Sequence, residues 1–452
     1  MGRQSFGLAS PAAWLTGAGV EVTCADLSRQ KLPQDAIRVA SLVGFFLPMH
    51  TATRLALPVI DRVCQLNPSA RLVAYGLYAP LNDALLRERG VHEVLGGEFE
   101  EELVQAALKG AEGDTAAPTE PLVAQPFRAA AATVPAIARL SFKKPLRDGL
   151  LPLSKYAALQ DGADRKIVGY TEASRGCKHL CRHCPIVPVY NGRFRIVSPD
   201  VVLADARAQV EAGAAHITFG DPDVFNGIRH AREVMERFGR ELPGITYDVT
   251  IKVEHLLQHA DALTLLRDTG CAFVTSAVEA LDDRVLGYLA KGHTRADFEQ
   301  AVALCAEARL PMSATFVAFT PWTTLASYLD FLHTIDRLGL VENVAPIQLA
   351  IRLLVTDRSR LLELDDVREL VRRFDPVSLT HPWVHPDPAV DALHDAVSKI
   401  VGVRMNAPRG EVFARVWDAA HAHAGVAPPA RRAMPILADR ATIPYLTEPW
   451  YC

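Results

Sequence analysis

Three cysteines in one short run are the residues of this chain that are best suited to chemistry. Cys177, Cys181 and Cys184 are separated by three residues and then by two. Thiolates at this spacing can converge on an iron–sulfur cluster and leave one of its irons without a protein ligand. The run therefore predicts a cluster with one open iron, where a small molecule can bind and react.

Zinc binding and plain burial are the two alternatives for this run. Structural zinc usually takes four ligands, and His179 and His183 could complete such a site only in a cramped geometry. Burial of three unrelated thiols suits the segment poorly, because Lys178, Arg182 and the two histidines leave it without an apolar face. Spacing and local chemistry favour the cluster over both alternatives.

The cysteine run resembles the signature of the radical S-adenosylmethionine (SAM) superfamily, C-x3-C-x2-C at the end of the first strand of a barrel. The resemblance implies a [4Fe–4S] cluster on Cys177, Cys181 and Cys184, whose open iron holds the amino and carboxylate groups of SAM. It also implies a flavodoxin- or ferredoxin-type reductant. His183 departs from the family, which commonly has an aromatic residue at this contact with adenine.

Length and composition favour some classes of protein over others. At 452 residues the chain is too long for one ordinary core, and 49% hydrophobic with 22% charged residues is typical of a soluble globular enzyme. The net charge of −4, without a basic block, argues against nucleic acid as a partner. The sequence has no secretory signal and no apolar run long enough for a membrane span, so we expect a cytoplasmic protein.

Residues 20–108 alternate short β-rich runs with amphipathic helices, which predicts a flavodoxin-like parallel sheet with helices on both faces. The predicted strands are Val20–Ala25, Ile37–Phe46 and Arg71–Tyr75, and the predicted helices are Thr53–Leu66, Asn82–Arg89 and Glu98–Leu108. Ligands of such sheets bind at the carboxyl ends of the strands. We therefore expect a binding site near residues 46–51 and 76–82.

This segment resembles the cobalamin-binding domain that precedes many radical SAM barrels, through Phe6–Ala9, Gly17–Val22 and Gly90–Glu98. The resemblance implies that cobalamin can bind here. The first strand of such a domain, upstream of Gly7, is missing, which a late start codon would explain. The D-x-H-x-x-G motif that supplies a cobalt ligand in other proteins is absent too, so His50 is expected to be a loop residue. The alternative is a regulatory or vestigial flavodoxin-like domain without cobalamin.

Strand and helix patterns then repeat at intervals typical of βα units, after a proline-punctuated linker at Ala111–Val134. The six predicted strands are Val168–Glu172, His216–Phe219, Thr246–Ile251, Phe273–Ser276, Met312–Ala318 and Pro346–Leu353. They fit the partial (βα)6 TIM-type barrel of radical SAM enzymes, with chemistry at the carboxyl ends of the strands. The predicted α/β organisation is a cobalamin-binding-like domain at 1–110, a linker and approach at 111–165, the radical SAM core at 166–364 and a C-terminal extension, cap and tail at 365–452.

The turn after the second barrel strand, Gly220-Asp221-Pro222-Asp223, stands where the superfamily usually has a Gly-Gly-Glu-type turn. Glycine allows the backbone to approach the amino group of SAM, and backbone carbonyls or carboxylates accept its hydrogen bonds. Gly220, Asp221 and Asp223 are therefore predicted to bind SAM. The alternative is an ordinary turn that caps the following helix.

The ends of the third and fourth barrel strands supply further polar residues. Lys252 is predicted to bind the SAM carboxylate or to transfer a proton, and a surface pair with Glu254 is the alternative. Ser276 and Glu279 stand where family members present a Ser and a Glu to SAM, and an acid in an apolar strand end must be paired. For Glu279 the alternative is a structural pair with Arg284.

The predicted sixth strand places Gln348 and Arg352 on one face, so both are expected to point into the barrel. An inward arginine would bind the SAM carboxylate or an anionic substrate, and a structural ion pair is the alternative. The turn Lys291–Thr294 is predicted to be structural.

The C-terminal part narrows the resemblance to the radical SAM group named for a Cys-Sec-Ala-Glu-Pro or Cys-Cys-Ala-Glu-Pro tail. The matching segments are Glu172–Arg195, Phe219–Asn226, Asp248–His255, Phe319–Thr324, Gln348–Leu354 and the ending Glu448–Cys452. Tyr445–Thr447 replace the paired redox residues, so that role is not carried over. Cys452 is expected to be inert. His381 and His385 have metal-compatible spacing, but the prolines between and after them favour a turn.

Together these residues predict an enzyme that cleaves SAM at a reduced cluster and modifies a small molecule, with Cys177, Cys181, Cys184, Lys252 and Glu279 as its catalytic residues. With cobalamin, the leading reaction is methylation of an unactivated carbon or phosphorus. Without it, transfer of a 3-amino-3-carboxypropyl group or a radical rearrangement is the alternative. An electron-transfer or iron-sensing protein is the non-catalytic alternative.

Overall fold

The computed structural model of the chain describes residues 2–111, 140–404, 406–431, 441 and 443–447. Most of the predicted linker, from residue 112 onward, lies outside these ranges, as does the end of the predicted tail with Cys452. Across the part of the chain that is described, no helix is both long and apolar enough to cross a membrane.

A small parallel sheet and its helices form an N-terminal unit, residues 2–111. The strands are β1 (Leu42–Phe46), β2 (Arg71–Tyr75) and β3 (Glu93–Leu95), in the order β1-β2-β3. The helices are α1 (Phe6–Gly17), α2 (Gln34–Val39), α3 (His50–Leu66), α4 (Asp83–Glu88) and α5 (Glu100–Ala111). Four successive residues of β2 are buried, as in a central strand that is covered on both faces.

Two predicted strands of this unit differ from the structure, and His50 is not a loop residue. Val20–Ala25 forms no strand, because this largely half-exposed segment has no neighbour in the sheet. Ile37–Phe46 divides into the end of α2 and β1. Pro33 caps α2 and Asp35 lies in its first turn, and both favour a helix start. The three predicted helices are present, and α3 begins three residues early, at His50.

The second sheet is a curled half-barrel. The remaining strands are β4 (Ala158–Asp161), β5 (Asp164–Thr171), β6 (Ser174–Gly176), β7 (Phe194–Ile196), β8 (His216–Phe219), β9 (Thr246–Thr250), β10 (Cys271–Glu279), β11 (Met312–Phe316) and β12 (Tyr445–Leu446). The order β11-β10-β9-β8-β5 is parallel throughout, and β4 and β12 extend it antiparallel. β6 and β7 form a separate antiparallel pair. The predicted partial TIM-type fold is confirmed, with five of the six predicted strands.

The sixth predicted strand, Pro346–Leu353, is wrong as a strand. It begins as a 3-10 helix, Pro346–Leu349, and only Arg352 makes a β-bridge, with Phe319. Pro346 has no N–H to donate to a ladder. Instead, the side-chain oxygen of Gln348 accepts from Phe316 N at 2.8 Å, so a side chain takes the place of a strand backbone at the end of β11.

Helices surround the half-barrel and continue into the C-terminal part. They are α6 (Val187–Tyr190), α7 (Pro199–Glu211), α8 (Ile228–Glu241), α9 (Val253–Gln258), α10 (Ala262–Asp268), α11 (Asp283–Leu289), α12 (Arg295–Glu307), α13 (Leu325–Arg337), α14 (Asp365–Leu370), α15 (Pro388–Val403) and α16 (Arg409–Ala424). Thr294 caps α12 in a reciprocal capping box with Asp297, a structural role at the end of the Lys291–Thr294 turn. Apolar residues of α15 and α16, including Val397 and Trp417, join the core of the half-barrel.

Candidate active site

The cysteine run directly follows β6 and forms a loop beside α11. Two backbone hydrogen bonds fix it, from Cys184 N to Cys181 O at 3.2 Å and from Arg182 N to Leu289 O at 2.9 Å. Cys181 is buried, whereas Cys177 and Cys184 are partly exposed. The second bond ties the loop to α11, which follows the end of β10, so the thiols lie at the carboxyl end of the half-barrel as predicted.

The cysteine loop offers three thiolates, which suits a cluster that takes each thiolate on a different iron and leaves one iron open. A structural zinc site usually takes four protein ligands. Burial raises the pKa of Cys184 to about 12 and also raises that of Cys177, so metal binding must release protons from these thiols.

Gly220 and Asp221 follow β8 and lie against the start of β6. The Asp221 carboxylate accepts from Ala173 N at 2.9 Å and from Ser174 Oγ at 2.5 Å. Burial raises its pKa to about 6. Because both oxygens hold this neighbouring turn, Asp221 has a structural role, and SAM binding through the Gly220 backbone stays a prediction.

Asp223 lies between the cysteine loop and the end of β9. One carboxylate oxygen caps the next helical turn by accepting from Phe225 N at 3.2 Å. The other lies 2.6 Å from His255 Nδ1 and 3.5 Å from His179 Nε2. Burial alone would raise the pKa of Asp223, but the two imidazoles lower it to about 2. The helix cap that was the alternative for Asp223 is therefore present. The carboxylate also lies between His179 of the cysteine loop and His255, a connection that the sequence did not reveal.

His179, Asp223 and His255 place three possible metal-binding atoms within 4.8 Å of one another. Lys252 opposes metal binding there, because its Nζ lies 3.1 Å from His179 Nδ1 and an ammonium can only donate. Nδ1 of His179 then accepts this hydrogen bond. Lys252 also pairs with Glu254 at 3.1 Å, so the ion pair that was the alternative for Lys252 is present, with the lysine buried and the glutamate partly exposed.

Glu279 ends β10 at a β-bulge and has a left-handed backbone, with φ of 72°. Its carboxylate lies 3.2 Å from His183 Nε2 and 3.4 Å from Lys291 Nζ. Burial would raise the pKa of Glu279, but Lys291 and His183 lower it to about 2, which keeps it ionised. The alternative pair with Arg284 does not form, since that residue contacts a different acid. The contact with His183 joins the strand end to the cysteine loop.

Two buried groups near Glu279 have unused hydrogen-bonding capacity. Ser276 is fully buried and its hydroxyl makes no hydrogen bond. His293 is 7% exposed, and neither ring nitrogen makes a hydrogen bond of ordinary geometry. Burial and the charges of Lys291 and Lys252 lower the pKa of His293 to about 4, so the ring is neutral. A bound molecule could use both groups, and the sequence had indicated only Ser276.

Gln348 and Arg352 are held by the fold. Gln348 is occupied at the end of β11, as described above. Arg352 forms an ion pair with Asp391 at 2.6 Å, and its guanidinium lies 3.7 Å from the centre of the Trp383 ring. The structure therefore contains the ion pair that was the alternative for Arg352, and a SAM contact for either residue stays a prediction.

His381 and His385 do not come together on a metal site within the described residues. The Nδ1 atom of His381 lies 3.1 Å from the Arg372 carbonyl, and that of His385 lies 3.0 Å from the Asp387 carbonyl. Both rings are thus engaged with local backbone, as the intervening prolines had indicated.

A cavity of about 340 Å³ separates the N-terminal unit from the half-barrel. On one side it is lined by residues that follow the N-terminal strands, including Phe46, Gly76 and Gly97, which is the edge where a ligand was expected. On the other side it is lined by Glu172 and Gly176. Gly176 immediately precedes Cys177, so the cavity reaches the cysteine loop.

Among the described residues that line this cavity there is no histidine. His50, the nearest candidate in the sequence, instead places its Nε2 2.6 Å from the carbonyl of Ser378. Burial lowers the pKa of His50. The residue therefore makes a structural contact to the C-terminal part.

A buried charge network beside the cavity joins the N-terminal unit to the half-barrel. Arg175, in β6, contacts Glu100 at 2.6 Å, Glu172 at 3.0 Å and Glu98 at 3.3 Å. Burial raises the pKa of Glu172 to about 7, with further contributions from neighbouring acids, despite Arg175. The pKa of Glu98 is raised as well, chiefly by burial. The sequence did not indicate this network, because more than seventy residues separate Arg175 from Glu98 and Glu100.

Gly220 is expected to tolerate no side chain, because an added Cβ would lie 1.7 Å from the Tyr170 hydroxyl. Gly220→Ala should therefore lower stability by about 1–3 kcal/mol, through displacement of Tyr170 and the turn that carries Asp221. Thermal unfolding and iron content after reconstitution should both fall. Gly287→Ala in α11 is the matched control, since nothing lies within 4 Å of its added Cβ. If Gly220→Ala and Gly287→Ala had the same unfolding temperature and iron content, the predicted clash with Tyr170 would be contradicted.

Comparisons with known proteins agree with this fold. Residues 171–331 match the model of the radical SAM superfamily. A tRNA-2-methylthio-N(6)-dimethylallyladenosine synthase of Chlorobaculum tepidum is 27% identical over 157 residues, which are 33% of this chain and 35% of the relative. The chain thus spans about a third of the length of that curated relative.

Two solved structures are similar over most of the chain. The radical SAM methyltransferase TsrM of Kitasatospora setae, with cobalamin and a [4Fe–4S] cluster bound, superimposes with a TM-score of 0.56 at 20% identity over 75% of this chain and 71% of that one. The cobalamin-dependent radical SAM enzyme OxsB superimposes with a TM-score of 0.67 at 13% identity, over 89% of this chain and 65% of that one. At these identities the likeness concerns the fold.

The family match covers the strand that precedes the cysteine loop, the loop itself and the strand ends that carry Asp223, Lys252 and Glu279. Members of this family use a [4Fe–4S] cluster and SAM. The chain therefore contains a radical SAM domain at residues 171–331.

Proposed function

We propose that this protein is a radical SAM enzyme that cleaves SAM reductively and methylates a small molecule, with cobalamin as a second cofactor. The observation that carries the proposal is the cavity between the two sheets. It lies at the carboxyl ends of the N-terminal strands and reaches Gly176, next to the first cluster ligand. A cofactor held there would be adjacent to the place where SAM is cleaved.

The cavity walls suit a large cofactor in several respects. Gly7, Gly76 and Gly97 line it, and Gly76 and Gly97 have positive φ values that favour glycine. At about 340 Å³ the cavity is at the lower end of the range for small-molecule sites, about 300–1,000 Å³. A corrinoid with its tail is bulkier than this, so the cavity would have to widen to hold one.

Cobalamin, when bound, supplies a carrier for the methyl group. The chain's own residues have to bind SAM beside the cluster and exclude water. Glu279, ionised and paired with Lys291, is a hydrogen-bond acceptor close to the cysteine loop. Ser276 and His293 offer buried polar atoms without partners, and Lys252 offers a cation for the SAM carboxylate. Glu279, Ser276 and Lys252, at or near strand ends, and His293, in the turn before α12, form the proposed SAM site with the Gly220 backbone.

A small molecule is the proposed substrate. The curated relative that modifies tRNA matches only a third of this chain, and the net charge of −4 does not favour a nucleic acid. The cavity volume also suits a compact substrate, or the reacting end of a larger one, beside the cofactors.

The fragments of SAM distinguish the possible reactions. Protein reconstituted anaerobically with iron, sulfide and hydroxocobalamin should release S-adenosylhomocysteine together with 5′-deoxyadenosine when it is given dithionite and SAM. Both can be quantified by liquid chromatography and mass spectrometry. The protein should also retain corrinoid after desalting, as a visible spectrum would show. Methylthioadenosine instead of these products would contradict methylation and indicate aminocarboxypropyl transfer. An intact cluster without any SAM cleavage would contradict the enzyme proposal.

A further inference from the structure

The cluster must receive an electron from outside the protein, and the structure contains one surface that suits the donor. The cysteine loop is covered on its inner side by Glu279 and Lys291, and Gly176 at its start faces the cavity. Its outer side is open to solvent. There Lys178 is exposed, and Leu180, between two of the predicted cluster ligands, is 44% exposed.

Cationic side chains lie along this outer side. Arg360 Nη1 donates to the carbonyl of Leu180 at 3.4 Å, and Lys178 Nζ donates to the carbonyl of Asn226 at 3.3 Å. Arg182, in the loop itself, is half-buried and donates to the carbonyl of Tyr288 at 2.8 Å. Gly192 packs on the loop, since a Cβ there would lie 3.3 Å from a Leu180 methyl group, and it is followed by the half-buried Arg193, whose Nε donates to the carbonyl of Tyr190 at 3.2 Å. We call the set Lys178, Leu180, Arg182, Arg193 and Arg360 the basic face.

The basic face has an excess of positive charge. Its ion pairs involve one carboxylate, that of Glu363, which lies 2.7 Å from Arg360 and 3.7 Å from Arg182. Lys178 and Arg193 form no ion pair within the described residues. The chain as a whole carries a net charge of −4, so the sign of the charge is reversed locally around the cysteine loop.

We propose that the basic face is the docking surface for an acidic protein that carries a one-electron donor. This inference rests on the proposed function, because it requires a cluster on the three cysteines. A positive patch raises the rate of encounter with an acidic partner and orients it, and the effect weakens as salt screens the charges. Leu180 provides an apolar contact at the centre of the patch, as suits the small interfaces of transient redox complexes.

The electron balance of the step is simple. The reduced donor loses one electron, and the oxidised [4Fe–4S] cluster gains it, with no bond formed or broken between the two proteins. The electron enters beside Leu180, the residue that precedes the buried Cys181. The donor leaves after transfer, since a face dominated by long-range charge gives fast encounter and weak binding.

The test compares two reductants on the same reconstituted protein. Reduction of the cluster is followed by loss of its visible absorbance in an anaerobic stopped-flow instrument, with either a reduced acidic bacterial flavodoxin or dithionite. The double variant Lys178→Glu/Arg193→Glu should slow reduction by flavodoxin by about tenfold or more at low salt. The difference should shrink at high salt, and the rate with dithionite should stay within about twofold of wild type. Lys399→Glu, an exposed charge reversal on α15, is the control and should match wild type with both reductants.

The outcomes separate this inference from the proposed function. An unchanged flavodoxin rate in the double variant, or equal slowing with both reductants, would overturn the docking surface. Equal slowing in the Lys399→Glu control would overturn it as well, because the effect would then follow total charge. Absence of SAM cleavage with dithionite would overturn the proposed function, while the absorbance change would still report electron transfer into the cluster.

Discussion

Replacement of Cys181 by alanine should remove the iron–sulfur cluster and, with it, all cleavage of SAM. Cys181 is the buried member of the three thiols and the middle ligand of the run. With two thiolates left, a cluster has two irons without protein ligands and is lost during desalting. Iron per chain should fall from about four to about zero, with loss of the visible absorbance and of every SAM fragment.

The fold of this variant should survive, because deletion of one buried sulfur costs only about 1 kcal/mol. Far-ultraviolet circular dichroism of apo-protein should therefore match wild type. Cys64→Ala is the matched control, since that thiol lies in α3, away from the cysteine loop, and its hydrogen bond is to the backbone carbonyl of Arg89 at 3.6 Å. A full cluster in Cys181→Ala, or cluster loss in Cys64→Ala, would contradict the ligand assignment.

The sequence predicted the half-barrel better than the N-terminal unit, and the reason is local. His216–Phe219 was predicted to the residue, because a short run of β-formers stands between two strong helix patterns. Val20–Ala25 has the same kind of composition but no strand to pair with. Pairing partners are not encoded in a single run of residues, so such a segment cannot be distinguished from a strand by its own pattern.

The site illustrates the same limit at the level of side chains. Glu279 was correctly expected to need a partner, but the partner is Lys291 and not Arg284. Arg284 is close to Glu279 in the sequence. The β-bulge and the left-handed backbone at Glu279, however, turn the Glu279 carboxylate toward the cysteine loop. The choice of partner for Glu279 thus depends on the backbone conformation of this one residue, which composition and spacing do not reveal.

Contacts between distant segments could not be predicted at all. Asp223 was assigned to SAM from its position after a strand, yet one of its oxygens caps a helical turn and the other lies beside the imidazoles of His255 and His179. Arg175 likewise meets acids of α5 and its preceding turn that lie far away in the chain. These connections hold the cysteine loop between the N-terminal unit and the strand ends, so the local cluster motif depends on long-range packing for its position.

The buried network around Arg175 makes a second prediction, on the pH dependence of stability. Burial holds the pKa of Glu172 at about 7 in the folded protein, whereas an unfolded Glu titrates near 4.3. The folded state then binds this proton more tightly than the unfolded state. Stability is therefore highest below the unfolded pKa and falls as pH rises toward the folded pKa.

Glu172→Gln should remove the loss of stability that wild type shows as pH rises, because the amide does not titrate and resembles the protonated acid in shape. Relative to wild type, the variant should gain about 2–3 kcal/mol of unfolding free energy between pH 5 and pH 8. Urea denaturation of anaerobic apo-protein, followed by tryptophan fluorescence at several pH values, measures the difference. Asp221, whose pKa is also raised, titrates in both proteins and so largely cancels in the comparison.

Glu101→Gln is the control for this pH dependence, since Glu101 is an exposed acid on α5, whose neighbour Glu100 contacts Arg175. Its unfolding free energy should follow wild type at every pH. If Glu172→Gln also followed wild type, the proton would have to be held elsewhere in the network, with Glu98 as the next candidate because burial raises its pKa too. The pH sensitivity of the interface between the N-terminal unit and the half-barrel would then come from Glu98, which Tyr190 contacts, and not from Glu172, which lines the cavity.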